Sequence, residues 1–300
     1  MSESFLERAL HLMPFWSLAL AVFSGTAIAS WVGWWLRQRQ TRAGEAEAED
    51  TNQENYVVSA VMGLLALLIG FTFSLAIDRL DTRRERVLME ANAIETTYLR
   101  SQLLDEPHRT RISGLLVQYT DLSIALANTE PGPRQRALLE RNQALITDLW
   151  AETVAAFPSV KPFDFSSSYL ESMNGLIELN AARQQARRAR VPAEIFLALF
   201  LYQLIAAGVI GYVLVGRGSR RAGALLLLLF GISLVLVIDV DDPYGGGIAT
   251  SQEPLLRLKA SLETWPPAKF ERFDDASSEE GGQRDTRPAT SPLVRSTHPQ

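Results

Sequence analysis

Hydrophobic residues in this chain are gathered into four long blocks, separated by polar stretches rich in arginine. The blocks run about Met13–Leu36, Tyr56–Ile77, Pro192–Val215 and Ala222–Val240. Each is long enough to cross ~30 Å of hydrocarbon at ~1.5 Å per residue. The pattern predicts an all-α integral membrane protein with four transmembrane helices. The second block is the most informative. YVVSAVMGLLALLIGFTFSLAI holds no Asp, Glu, Lys, Arg or His, and DRLDTRRERVLMEANAIETTYLR follows it without Pro or Gly. One helix is therefore predicted to pass from apolar to charged between Tyr56 and Arg100. Asp78, Arg79, Asp81, Arg83, Arg84, Glu85 and Arg86 arrive within about three turns, at the depth of a bilayer interface. Two readings stand: an anchor with snorkelling arginines, or a pore-lining helix that carries its charge into a vestibule.

Residues 78–190 are polar and helix-prone. Pro107, Pro131-Gly132-Pro133 and the stretch from Pro158 to Pro162 divide them into roughly four helices. Ile112, Leu115, Leu116, Tyr119 and Leu122 recur at helical spacing, as do Leu138, Leu145, Leu149 and Val154. Such stripes predict an extramembrane bundle inserted between the second and third spans. Residues 1–12 precede the first span, 37–55 and 216–221 are short links, and 241–265 form a post-membrane segment. Residues 266–300 are rich in Ser, Pro, Gly and charge, and are expected to be disordered. Ala27-Ile28-Ala29 has the look of a signal-peptidase site. The apolar run continues past it to Trp31, Trp34, Trp35 and the interfacial Arg37 and Arg39, so an uncleaved anchor is expected. Gln203 in the third span is expected to hydrogen-bond a neighbouring helix.

Chemistry enters mostly by exclusion. Net charge is −5 and no basic patch is interleaved with aromatics, so no nucleic-acid partner is expected. There is no cysteine, and His11, His108 and His298 are scattered, so no metal site is expected. Walker, zincin and nucleophile-elbow sequences are absent. No catalytic residue, cofactor or enzymatic activity is predicted. Asp239, Asp241 and Asp242 lie at the end of the fourth span, where the helix dipole is already negative. Their repulsion calls for pairing with the arginines beyond the second span, or for occasional cation binding. Arginine flanks both the short links and the long insertion, so charge alone leaves orientation even.

Gly70-Phe71 with Arg79 and Arg84, inside GFTFSLAIDRLDTRR, resembles the pore-helix signature of bacterial bestrophins. Asp241-Asp242-Pro243-Tyr244-Gly245 is similar to the acidic, Pro- and aromatic-bearing turn of those channels. Together with EANAIETTYLR (90–100), it also resembles the bacterial bestrophin-like domain family, four-span proteins whose function is largely unassigned. The likeness covers roughly residues 13–260. It implies a homopentamer in a bacterial inner membrane, with the long insertion and both termini cytoplasmic. It implies a pore lined by the second span, with a constriction at Leu67, Phe71 and Gly63 that gates by dewetting. Gly63 departs from the apolar residue expected there. It also implies a vestibule bearing Asp78, Arg79, Arg83, Arg84 and Arg86, and chloride or another small anion as the permeant species. Asp239, Asp241 and Asp242 are thinner than the calcium clasp of eukaryotic bestrophins, and no calcium is expected. The alternative is a non-conducting membrane scaffold or sensor whose 78–190 bundle binds a partner.

Overall fold

A computed structural model describes residues 15–42, 51–214, 217–244, 247–248 and 250–270. They form helices α1 (Phe15–Arg42), α2 (Thr51–Ser101), α3 (His108–Ala127), α4 (Pro133–Val160), α5 (Phe165–Arg188), α6 (Ala193–Val213), α7 (Arg217–Asp241) and α8 (Glu253–Thr264). The class is all-α, with four helices long and apolar enough to cross a membrane. Helix α2 is 51 residues long. It continues ~36 Å past Ile77, because nothing between Phe71 and Ser101 removes a backbone donor or loosens the chain.

Two apolar cores share α2. In the first, Leu65, Ile69, Ala76 and Leu80 meet Val22, Phe196, Leu199, Ala206, Leu234 and Val237 from α1, α6 and α7. In the second, Val87, Ala91, Ile94 and Tyr98 meet Ile112, Leu116, Tyr119, Leu149, Tyr169, Met173 and Leu176 from α3, α4 and α5. Six residues separate Leu80 from Val87, and Arg83, only 2% exposed, is among them. Helices α1 and α6 approach with little side chain between them. A Cβ on Gly211 would collide with the Ser30 backbone, and one on Gly33 with that of Gly208. Small residues of this kind let membrane helices gain backbone-to-backbone contact. Gln203 Nε2 donates to Thr26 Oγ1 at 3.3 Å, tying α6 to α1.

Breaks fall near Pro107 and at Pro131–Pro133, with Pro133 in the first turn of α4, whereas Pro158 lies inside α4 and the last break comes after Val160. Three boundaries differ from expectation. Helix α1 continues to Arg42, which narrows the link expected over 37–55. Helix α7 begins at Arg217, inside the link expected over 216–221, and the Arg220 guanidinium stacks 5.0 Å from the Trp34 ring centre. The post-membrane segment contains α8, whose Leu255, Leu258 and Leu262 complete the second core. The disorder expected from 266 starts too early: residues 267–270 turn back so that Phe270 packs on that core, its ring 6.3 Å from Trp265. Residues 271–300 lie outside the described residues.

Candidate functional site

At about 100° per residue, the candidate constriction defines one face of α2. Leu67 is 53% and Phe71 63% exposed, and nothing lies within 4 Å of a Cβ built on Gly63 or Gly70. Continuing along that face, Asp78, Asp81 and Glu85 are all exposed and lie within ~40° of Leu67. Glu85 is five full turns from Leu67. The face then carries Leu88, Asn92, Glu95 and Leu99, also exposed.

The arginines do not form one set with these acids. Arg83 points ~160° away from Leu67. Arg79 and Arg86 are half-buried on the flanks, with Arg86 reaching Met89 Sδ at 3.6 Å. Arg84 stays exposed and pairs with Asp81 at 3.4 Å. Within one chain, Asp78, Arg79, Arg83, Arg84 and Arg86 are thus spread around the helix.

Arg83 instead ends α7. Its two terminal nitrogens donate to Val240 O at 2.9 Å and Asp241 O at 3.0 Å, carbonyls left without an intrahelical partner. A guanidinium there also offsets the negative end of the helix dipole. Both carboxylate oxygens of Asp241 accept from Val191 N, at 3.1 and 3.0 Å, which fixes the start of α6. Asp242 Oδ1 accepts from Arg190 at 3.1 Å and from Tyr244 N at 3.1 Å. Asp239 Oδ1 accepts from Gly247 N at 2.8 Å. The three acids therefore point to separate partners. Of the two expectations for them, arginine pairing describes Asp242, through Arg190 rather than an arginine of the second helix. Pro243 follows in the turn, and Gly245 lies outside the described residues.

Behind the joint is a polar network that sequence reasoning missed. Glu90 of α2, 1% exposed, accepts from Tyr119 Oη at 2.5 Å and Ser123 Oγ at 3.3 Å, and forms an ion pair with Arg183 of α5. Arg183 also donates to Ser123 O at 3.2 Å and Gln252 Oε1 at 2.9 Å. Burial, and then the Glu90 charge, push the Tyr119 hydroxyl well above the usual phenol range. One turn on, Arg187 donates to Leu126 O at 2.8 Å, capping α3, and lies 5.0 Å from the centre of the Tyr244 ring. Tyr244 Oη accepts from Gln135 of α4 at 3.1 Å. The signal for Glu90 was present: it shares the stripe of Val87, Ile94 and Tyr98, where a carboxylate is tolerated only with a partner. Nothing local named Arg183 as that partner.

Fold and site together define a four-span, all-helical membrane protein whose second span also serves as the central helix of a bundle outside the membrane. The chain belongs to the bestrophin-like family, the Bestrophin-like domain matching residues 24–255. Among solved structures it is similar to a bacterial bestrophin homologue from Klebsiella pneumoniae. One substituted form has a TM-score of 0.61 at 18% identity, covering 82% of this chain and 96% of that one. A second form of the homologue gives 0.59 at 17%, covering 81% and 95%. A further membrane protein gives 0.62 at 15%, covering 80% and 97%. At such identities the likeness is one of fold. No curated protein matches the sequence.

Proposed function

We propose that several copies of this chain surround a common axis with the free face of α2 turned inward, forming an ion channel constricted at Leu67 and Phe71. The observation that carries this reading is the continuity of the face on both sides of the membrane boundary. Lipid can cover Leu67 and Phe71, but Leu88 lies ~32 Å farther along the helix and Leu99 ~48 Å. Both are about half exposed in the single chain. Covering the exposed half of each would contribute about 1–1.5 kcal/mol, and neighbouring copies can cover both halves at once. The family resemblance implies a pentamer in a bacterial inner membrane, with bundle and termini on the cytoplasmic side.

The same face argues against the anions that the resemblance implies. Asp78, Asp81 and Glu85 would stand in stacked rings, whereas Arg83 is turned away and committed to the end of α7. Rings of carboxylates favour cations. The reading is therefore a cation path, with the apolar neck as its gate.

Reconstituted protein under an asymmetric KCl gradient is expected to show a reversal potential of the sign set by potassium. Phe71→Ala should raise conductance, and Asp78→Asn with Glu85→Gln should reduce the preference for cations. Monomeric protein in detergent together with ion-tight vesicles would overturn the channel, and a chloride reversal potential would overturn the choice of ion. The scaffold reading is favoured by Trp150 and Val154, exposed on α4; an oligomer that leaves vesicles tight would support it.

A further inference from the structure

The joint between the two cores encloses a cavity of about 250 Å³, bounded by α2, the end of α3, α5 and the residues Pro243, Tyr244, Thr250 and Gln252. Three guanidiniums line it, those of Arg83, Arg183 and Arg187, against one carboxylate, the exposed Glu130 at the mouth. Arg183 is balanced by Glu90. Arg83 and Arg187 are held by backbone carbonyls, and among the described residues neither is in an ion pair. Two polar atoms of the lining residues are buried with no hydrogen-bond partner among the described residues, Arg83 Nε and Thr250 Oγ1. Buried donors are rarely left unsatisfied, and a charged one least of all. The cavity these residues line is far larger than a halide needs.

We infer that this cavity binds a phosphate group, carried either by a small soluble ester or by an anionic lipid headgroup. Planar guanidinium forks suit phosphate oxygens, which can accept from several donors at once. Arg83 Nε and the Thr250 hydroxyl supply donors that no internal group uses. Arg83 stands ~9 Å past the last apolar residue of the second span, at headgroup depth, so both sources can reach it. Asn128, at the end of α3, and Glu130 are the exposed residues of the lining. A ligand held here would touch α2, α3, α5 and the segment leading to α8 together.

The test uses the full chain purified without phosphate, and reads thermal unfolding at constant ionic strength. Inorganic phosphate and glycerol phosphate are compared with chloride in detergent, and phosphatidylcholine nanodiscs with and without phosphatidylglycerol are run in parallel. The expected result is stabilisation by a phosphate compound beyond that by chloride. A shift confined to phosphatidylglycerol assigns the ligand to lipid, and a shift with the free esters assigns it to a soluble compound. Thr250→Val removes no internal hydrogen bond and should weaken binding ~10-fold, the loss of one bond to a charged group. Asn128→Asp, at the exposed mouth, should weaken it as well. Equal stabilisation by chloride, no response in either medium, or an unchanged midpoint concentration in both variants would overturn the assignment.

Discussion

Glu90 and Arg183 bring α2, α3, α5 and the chain after α7 to one point, and separating them is the sharpest probe of the bundle. Glu90→Gln keeps the shape and an acceptor for Tyr119, but leaves the Arg183 charge in the core, where its side chain is 7% exposed. Arg183→Met leaves the Glu90 carboxylate with only the hydroxyls of Tyr119 and Ser123, and also abandons Ser123 O and Gln252. Breaking a buried pair from one side typically costs about 3–5 kcal/mol, whereas replacing both members with apolar groups can be close to neutral. Each single variant should lose about that much. The double variant Glu90→Gln with Arg183→Met keeps the acceptor for Tyr119 and strands no charge, so it should lose only ~1–3 kcal/mol, the remainder reflecting the orphaned Ser123 O and Gln252 acceptors. The coupling is then at least ~3 kcal/mol in magnitude. Guanidinium unfolding in detergent, followed by helical circular dichroism, measures all of these. Single losses below ~1 kcal/mol, or a double loss equal to their sum, would refute the claim that the pair acts as one unit.

Tyr119 makes stability sensitive to alkali. Its proton is held more tightly in the fold than in the unfolded chain, so its contribution is complete below the ordinary phenol pKa and is lost as pH rises beyond it. The slope should be about 1.4 kcal/mol per pH unit, and Tyr119→Phe should remove that part of the alkaline loss in unfolding measured across the range. Arg83→Gln withdraws the cation from two carbonyls ending α7 and from the buried Asp241 beside them. A loss of ~2–4 kcal/mol is expected for two charged hydrogen bonds, with Arg83→Lys recovering a fraction because a single ammonium cannot match the fork. Gly211→Val should force α1 from α6 and cost ~3 kcal/mol or more, whereas Gly175→Ala, with open space at its Cβ on α5, should cost nothing measurable. Thermal unfolding compares the two.

The spans were legible because length and apolarity alone mark a membrane helix, and the bundle was legible because Pro interrupts it at the turns. Helix α8 lies in the stretch expected only as a post-membrane segment, although Leu255, Leu258 and Leu262 stand at helical spacing behind Pro254; twelve residues give too short a pattern to mark a helix by themselves. At the site, Leu67, Phe71 and Gly63 do share an exposed face. The arginines that follow were grouped by adjacency, yet five residues along a helix turn a side chain through more than a full revolution. Counting degrees from Leu67 would have put Arg83 at the back and Glu85 at the front. The partner of Arg83 could not be counted, since the carbonyls it caps lie 157 and 158 positions away. Such closures depend on tertiary packing, which no local pattern records.

Because α2 is continuous through both cores, it can behave as a rigid lever with Arg83 as its pivot. From there to Tyr56 is ~40 Å. A swing of about 5° on the bundle side would carry the opposite tip roughly 3–4 Å, about the width of a methyl group. Displacements too small to disturb the packing around Glu90 would thus be magnified at the far end.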